Sequence, residues 1–174
     1  MEFKCRSSMD KKTRIKTLFV FFIIAVVIGV LFFVSTNDKL FIVVTISLLT
    51  IYISALIFGL YKTPTAYMLS DTALIIISRF SQTSINIKDI RTVRIMDSDD
   101  KQGLVRIFGA EGVIGNIGYY SSTKNKKMFV LTSRDTNWIM IETKDNKKVV
   151  ISPDNLDLVT MLNKMINSYK QINL

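Results

Sequence analysis

The sequence predicts a transmembrane α-helical hairpin followed by a mainly antiparallel β domain that a C-terminal α-helix caps. Two apolar, charge-free runs at residues 18–34 and 40–61 lie five residues apart. Short β-branched segments follow residue 62, and the last segment changes to the apolar spacing of a helix. We therefore expect a basic cytoplasmic tail (1–17), a two-helix hairpin (18–61) and a domain (62–174).

The two apolar runs are long enough to cross a bilayer. At 1.5 Å per residue they span roughly 26 Å and roughly 33 Å, against a hydrocarbon core of ~30 Å. The first run is too long for a cleaved signal peptide, and residues 34–37 offer no small-x-small cleavage site. Neither run contains Asp, Glu, Lys, Arg or His, the residue types that mark ion pathways. We expect an anchor, with the small residues Ala55 and Gly59 available for helix contact.

The distribution of basic residues predicts the orientation of this anchor. Six cations precede the first run, whereas the hairpin loop has only Lys39, which Asp38 offsets. Because positively charged flanks stay in the cytoplasm, we expect a multi-pass protein of the cell membrane with both termini cytoplasmic. The topology-setting residues are Lys4, Arg6, Lys11, Lys12, Arg14 and Lys16.

The segment after residue 62 alternates between apolar and polar residues over short runs. The predicted strands are 67–69, 73–80, 84–87, 93–96, 128–132, 138–143 and 149–151. Such short, regularly spaced strands favour a small antiparallel barrel or sandwich. Ser152-Pro153-Asp154 predicts a helix start, after which apolar residues recur at spacings of three and four from Leu158 to Tyr169.

The composition argues against several classes of function. The net charge of +9 is scattered along the domain, without the basic face and stacking aromatics expected for nucleic acid. Histidine is absent, and the one cysteine, Cys5, is predicted to be exposed in the tail. No catalytic triad, thiol dyad or intrachain disulfide can be built, so we predict no enzyme activity, no cofactor and no metal site. Residues 97–100 lack the glycine and glutamate of a calcium-binding loop and are predicted to form a solvated loop.

Five of the seven glycines fall within residues 103–118. No P-loop lysine follows them, and the dinucleotide-binding spacing is missing. Two alternatives remain: the glycines are structural bends, or the stretch is a binding edge that contacts a partner or lipid. The candidate contact residues are Phe108, Val113, Ile114, Ile117, Tyr119 and Tyr120.

Several segments of the domain are similar to one known family. They are 67–71, 87–90, 106–109, 115–119 and 151–154. Together they resemble the bacterial pleckstrin-homology-like (PH-like) domains found behind one or two transmembrane helices. The resemblance implies a bent antiparallel barrel with one end capped by the C-terminal helix. Lipid-binding relatives carry a basic cluster at the first hairpin, but the turn here reads Ser70-Asp71-Thr72, which argues against inositol phospholipid binding.

Taken together, these observations predict a non-catalytic, membrane-anchored cytoplasmic binding or scaffold module. Its expected partner is a protein, with a second copy of the chain as one form of that partner. The alternative is an accessory subunit of a membrane transport or envelope-biogenesis complex, in which the hairpin itself makes the essential contacts.

Overall fold

The computed structural model describes residues 3–34, 39–110 and 115–172. These residues form ten strands, four α-helices and a short 3₁₀ turn at Ile87–Asp89. The helices are α1 (Lys11–Val34), α2 (Lys39–Lys62), α3 (Ser98–Lys101) and α4 (Asp157–Ile172). The strands are β1 (Phe3–Arg6), β2 (Pro64–Leu69), β3 (Ala73–Ser78), β4 (Gln82–Asn86), β5 (Ile90–Ile95), β6 (Val105–Ala110), β7 (Asn116–Ser121), β8 (Met128–Thr132), β9 (Ile139–Thr143) and β10 (Lys148–Ile151).

The strands are arranged in two sheets. The first has the order β1-β2-β3-β4, and the second has the order β5-β9-β10-β8-β7-β6. All pairs are antiparallel except β8 and β10, which run parallel with Val150 beside Val130. The mainly antiparallel sheets with a C-terminal helix fit a PH-like fold, but within the described residues they do not close into the expected barrel.

Helices α1 and α2 contain both of the predicted apolar runs. Many large apolar side chains of α1 are exposed, such as Leu18, Phe19 and Phe22, so this helix is not the core of a soluble unit. The segment 11–31 is long and apolar enough to cross a membrane, with a mean hydropathy of 2.4 over its most apolar 18 residues. Within the described residues no other helix meets that criterion. The described part of α2 contributes a shorter apolar run, at residues 42–54. This one helix has the length and composition of a membrane span or a signal segment.

Helix α4 packs its apolar face on the sheets, as its spacing predicts. Leu158, Leu162 and Ile166 are buried together with Tyr67 and Ile141 of the strands. The predicted start was wrong by one turn. The helix begins at Asp157, whose backbone N–H donates to the Asn155 side chain at 2.8 Å, and Ser152-Pro153-Asp154 connect β10 to it.

Residues 3–6 of the predicted tail form a strand in the first sheet. β1 pairs antiparallel with β2, with Cys5 opposite Tyr67. The predicted exposure of Cys5 was wrong, because this side chain is only 5% exposed. Its sulfur accepts a hydrogen bond from the backbone N–H of Asn155 at 3.3 Å. The sequence signal for β1 is weak, since four mixed residues carry too little periodicity to predict a strand.

Residues 97–99 are exposed, as expected of the predicted solvated loop, but residues 98–101 form helix α3 and Asp100 is buried. Asp97 caps α3 by accepting from the backbone N–H of Asp100 at 2.8 Å. The Asp100 carboxylate is fully buried and accepts hydrogen bonds from the two terminal guanidinium nitrogens of Arg94. Asn125 donates to it at 3.2 Å. The hydrogen bonds from Arg94 hold the pKa of Asp100 well below its usual value, against the effect of burial.

Candidate functional site

The glycine-rich stretch folds largely as two paired strands, β6 and β7, which the strand prediction had missed. Gly109 lies directly opposite Gly118, and both have positive φ, 126° and 138°. A Cβ atom on Gly109 would lie 2.1 Å from the carbonyl oxygen of Ile117. Such a contact is impossible, so these two positions require glycine for a close backbone approach. Gly109 and Gly118 therefore have a structural role, which is compatible with a binding edge formed by the side chains around them.

The side chains around these glycines nonetheless form an apolar, aromatic surface. Phe108 is 72% exposed and stands opposite Tyr119, which is 41% exposed. The Tyr119 ring packs on Phe129 with centroids 5.1 Å apart. The Lys127 ammonium lies 4.6 Å from the centroid of the Tyr119 ring, within the range of a cation–π contact. Ile107 is also exposed and sits at a bulge where β6 has no direct partner residue.

The six predicted contact residues do not share one environment. Phe108 and Tyr119 are exposed on the hairpin. Ile117 is 3% exposed and belongs to the main core, whereas Tyr120 is 1% exposed and belongs to a second cluster around Trp138. Val113 and Ile114 lie outside the described residues. Sequence reasoning grouped these residues but could not tell which of them the core covers. The glycines hide the alternation, and exposed Tyr119 lies on the same face of β7 as buried Ile117.

Strand β6 is also the edge of the six-stranded sheet. An edge strand presents backbone N–H and C=O groups that another chain can pair with. Its exposed residues Val105, Ile107 and Phe108 are large and apolar. At the edge of the other sheet, β4 carries the exposed polar residues Gln82 and Thr83. We call the surface of Val105, Ile107, Phe108 and Tyr119 the β6 edge.

A second group of polar side chains joins the N-terminal segment to the rest of the domain. Ser7 is buried, and its hydroxyl lies 2.7 Å from that of Ser133 and 3.2 Å from the carbonyl oxygen of Ser152. The Tyr67 hydroxyl accepts from the backbone N–H of Ser152 at 3.0 Å and donates to Leu131. Burial raises the pKa of Tyr67, which therefore stays neutral at this position. The network fixes the chain just before α1.

An outer layer of charged residues continues this junction. Arg134 donates to the carbonyl oxygen of Ser8 at 2.9 Å and pairs with Asp154. Asp154 also accepts from the backbone N–H of Ser8 at 2.8 Å. One helical turn into α1, Lys16 pairs with Asp135 at 3.0 Å. The first turns of α1 are thus attached to the β domain by hydrogen bonds and ion pairs, a feature that no motif in the sequence indicated.

The six cations that were predicted to set the topology are divided between two elements. Lys4 and Arg6 lie in β1, and the other four lie in the first two turns of α1. Lys11, Lys12 and Arg14 are exposed, and Lys16 makes the ion pair with Asp135. Their position at the start of an apolar helix is that expected of residues at a membrane surface.

A cavity of about 670 Å³ is open to solvent and lies at the C-terminal end of α4. Its lining includes Lys88, Lys144 and Lys170 with one carboxylate, Asp89, over the apolar side chains of Ile87 and others. This chemistry suits an anionic group but carries no catalytic set. No group of three or more His, Cys, Asp or Glu side chains that could hold a metal ion occurs among the described residues.

Comparison with known proteins gives one match. A family model described as a bacterial PH domain matches residues 65–165, which is more than half of the chain. The matched region runs from β2 into α4 and leaves out β1, α1 and α2. No curated protein and no solved structure matches the chain significantly.

Proposed function

The chain belongs to the bacterial PH domain family, and we propose from this that it is a non-catalytic binding module that a helical hairpin anchors on the cytoplasmic face of the cell membrane. A PH-like fold serves binding rather than one chemistry, so the function depends on its surfaces. The absence of histidine from the sequence and the burial of Cys5 are consistent with a module that performs no reaction.

The observation that carries the anchoring proposal is the pairing of β1 with β2. β1 leads into α1, and β2 follows directly from α2. The segment between them therefore leaves the domain and returns to the same sheet. If α1 crosses the bilayer, as its length and hydropathy allow, α2 must cross back. The β1–β2 pairing thus supports a hairpin independently of the hydropathy of α2.

The charges favour the cytoplasmic side for the domain. The exposed cations at the start of α1 lie next to a run that is apolar from Leu18 onward. Positively charged residues that flank a span remain in the cytoplasm. Because β1 pairs with β2 of the domain, the domain lies on the same side of the membrane as β1.

We assign the binding surface to the β6 edge, and its occupant to a protein segment that adds as a strand. Three observations support this choice: the outer side of β6 has no neighbouring strand in the described structure, Phe108 and Ile107 are exposed, and Tyr119 is held in place by Phe129 and Lys127. Strand addition uses backbone hydrogen bonds for affinity and exposed side chains for specificity. A second copy of the chain is one protein that satisfies these requirements.

Site-specific photo-crosslinking in cells tests this proposal. A photoreactive residue at Phe108 should crosslink the full-length protein to one dominant protein species. The same residue at Ile95, an exposed apolar position on β5 at the other edge of the same sheet, is the matched control. Equal products at both positions, or none at Phe108, would contradict the assignment.

The alternative function is that of an accessory subunit that acts through its hairpin. Exchanging residues 11–62 for an unrelated two-helix anchor distinguishes it from the binding-module function. The binding module should keep the Phe108 crosslink after this exchange. Loss of the crosslink from a folded, membrane-bound exchange variant would favour the accessory-subunit function.

A further inference from the structure

The directions of the strands identify which end of the domain lies beside the anchor. β1 runs towards α1, and β2 runs away from α2. β3 pairs antiparallel with β2, so it ends at the same edge, where Ser78 lies opposite Pro64. The turn between β3 and β4, at Arg79, Phe80 and Ser81, is therefore level with the bases of both helices.

Contacts hold this turn against the end of α2. The Ser78 hydroxyl donates to the carbonyl oxygen of Lys62 at 2.9 Å. The ring of Phe80 stacks on that of Tyr61, with centroids 5.7 Å apart and an interplanar angle of 12°. Phe80 is nevertheless 64% exposed, so the domain itself does not cover this ring.

The surroundings of Phe80 are those of a membrane–water interface. Aromatic rings are enriched at the level of the lipid headgroups, and cations beside them attract anionic lipid by about 1 kcal/mol each. Tyr61 is in the last turn of an apolar helix and is followed by Lys62. Arg79 precedes Phe80 and is exposed, and exposed cations also open α1. Asp135, a carboxylate at the base of α1, is already paired with Lys16.

We propose that the β3–β4 turn is a lipid-contact site: Phe80 and Tyr61 insert side by side at headgroup level, and Arg79 binds anionic lipid phosphate. The inference rests on the anchoring part of the proposed function. It differs from lipid binding at the first hairpin of the domain. That turn, Ser70–Thr72, lies at the other end of β2, about 20 Å away for a six-residue strand.

Tryptophan quenching by brominated lipid tests the site in the full-length protein reconstituted into vesicles. The Phe80→Trp variant should lose tryptophan emission in vesicles of brominated phosphatidylcholine with phosphatidylglycerol. The Thr72→Trp variant, in the exposed turn at the opposite end of the sheet, should not. Trp138 is the one native tryptophan and is buried, so the unaltered protein supplies the background signal.

The outcomes separate this inference from the anchoring proposal. A protein that resists carbonate extraction and shows stronger quenching for Phe80→Trp than for Thr72→Trp supports the site. Carbonate resistance with equal quenching overturns the inference and leaves the anchor standing. Carbonate extraction of the protein overturns both. A blue-shifted but unquenched emission from Phe80→Trp assigns the ring to a protein contact and also overturns the lipid site.

A separate variant, Arg79→Gln, tests whether Arg79 binds anionic lipid. Quenching of Phe80→Trp should be greater with phosphatidylglycerol than in phosphatidylcholine alone, and adding Arg79→Gln should reduce that difference. The matched control is Arg91→Gln, a partly exposed cation of β5 outside the turn. An equal effect of the two arginine changes would overturn the role of Arg79.

Discussion

The Arg94–Asp100 pair gives an asymmetric prediction about stability. The Asp100 side chain is fully buried, whereas that of Arg94 is 41% exposed. Arg94→Met removes the main partner of a buried carboxylate, a change that typically costs about 3–5 kcal/mol. Asp100→Asn removes the buried charge and leaves a half-exposed guanidinium that water can reach, so we expect a loss of about 1–3 kcal/mol. Arg94→Met should therefore destabilise the domain more than Asp100→Asn.

The pH dependence provides an internal check on the cause. Arg94 holds the folded-state pKa of Asp100 below its unfolded value of about 3.9, so the pair stabilises the domain above that pH and the effect is lost as pH falls through the folded-state pKa. In Arg94→Met the pKa of Asp100 rises, because only the exposed Lys124, at 3.4 Å, and neutral donors remain beside the carboxylate. Protonation then relieves the poorly compensated charge at higher pH. The stability gap between native protein and Arg94→Met should shrink between pH 7 and pH 4.

Urea titrations in detergent, followed by the fluorescence of the buried Trp138, measure these changes in the full-length protein. Arg91→Met is the matched control, because Arg91 pairs with Glu142 at the surface and such pairs contribute at most about 1 kcal/mol. Two results would refute this explanation. One is a stability difference between the native protein and Arg94→Met that stays constant with pH, and the other is a larger loss of stability for Asp100→Asn than for Arg94→Met.

Two further changes test the packing. Leu162→Ala, at a fully buried position of α4, should lower the free energy of unfolding by about 2–5 kcal/mol. The control Thr160→Ala, at an exposed position of the same helix, should change it little. Equal urea midpoints for the two variants would show that α4 is not part of the core. Gly109→Ala should strongly destabilise the domain, because the added Cβ would lie 2.1 Å from the carbonyl oxygen of Ile117. The control is Gly29→Ala in α1, where an added Cβ meets no atom within 4 Å. Similar thermal midpoints for the two variants would contradict the paired-strand geometry.

The sequence predicted the elements whose periodicity is strong. β8 matches its predicted bounds, and α4 presents the apolar face expected from Leu158 and Leu162. The bend at Ser152-Pro153-Asp154 was mistaken for the helix start because the same residue types also stabilise connections. Here Ser152 is buried, and its hydroxyl accepts the backbone N–H of Ser133 rather than capping a helix.

Long-range pairing explains what the sequence could not indicate. β1 is stabilised by β2, about sixty residues away, and by the Ser7 network with Ser133 and Ser152. In β6 and β7, glycines at opposed positions interrupt the period-two pattern, so a pair of strands resembled a loop. The candidate hairpin was selected for its aromatic residues. Ile117 and Tyr120 lie on opposite faces of β7 and are buried in two different clusters, which the sequence of the hairpin does not indicate.

The central claim is that β1 and the PH domain share one side of the membrane and that α1 and α2 together form a hairpin. The most direct measurement fuses reporters to both ends of one full-length chain in cells. A fluorescent protein that matures only in the cytoplasm should be active before Met1 and after Leu174, and alkaline phosphatase, which is active only outside, should be inactive at both positions. The hairpin would be contradicted if the fluorescent protein were active at one end of the chain and alkaline phosphatase at the other. The two ends would then lie on opposite sides of the membrane, and a strand cannot pair across a bilayer.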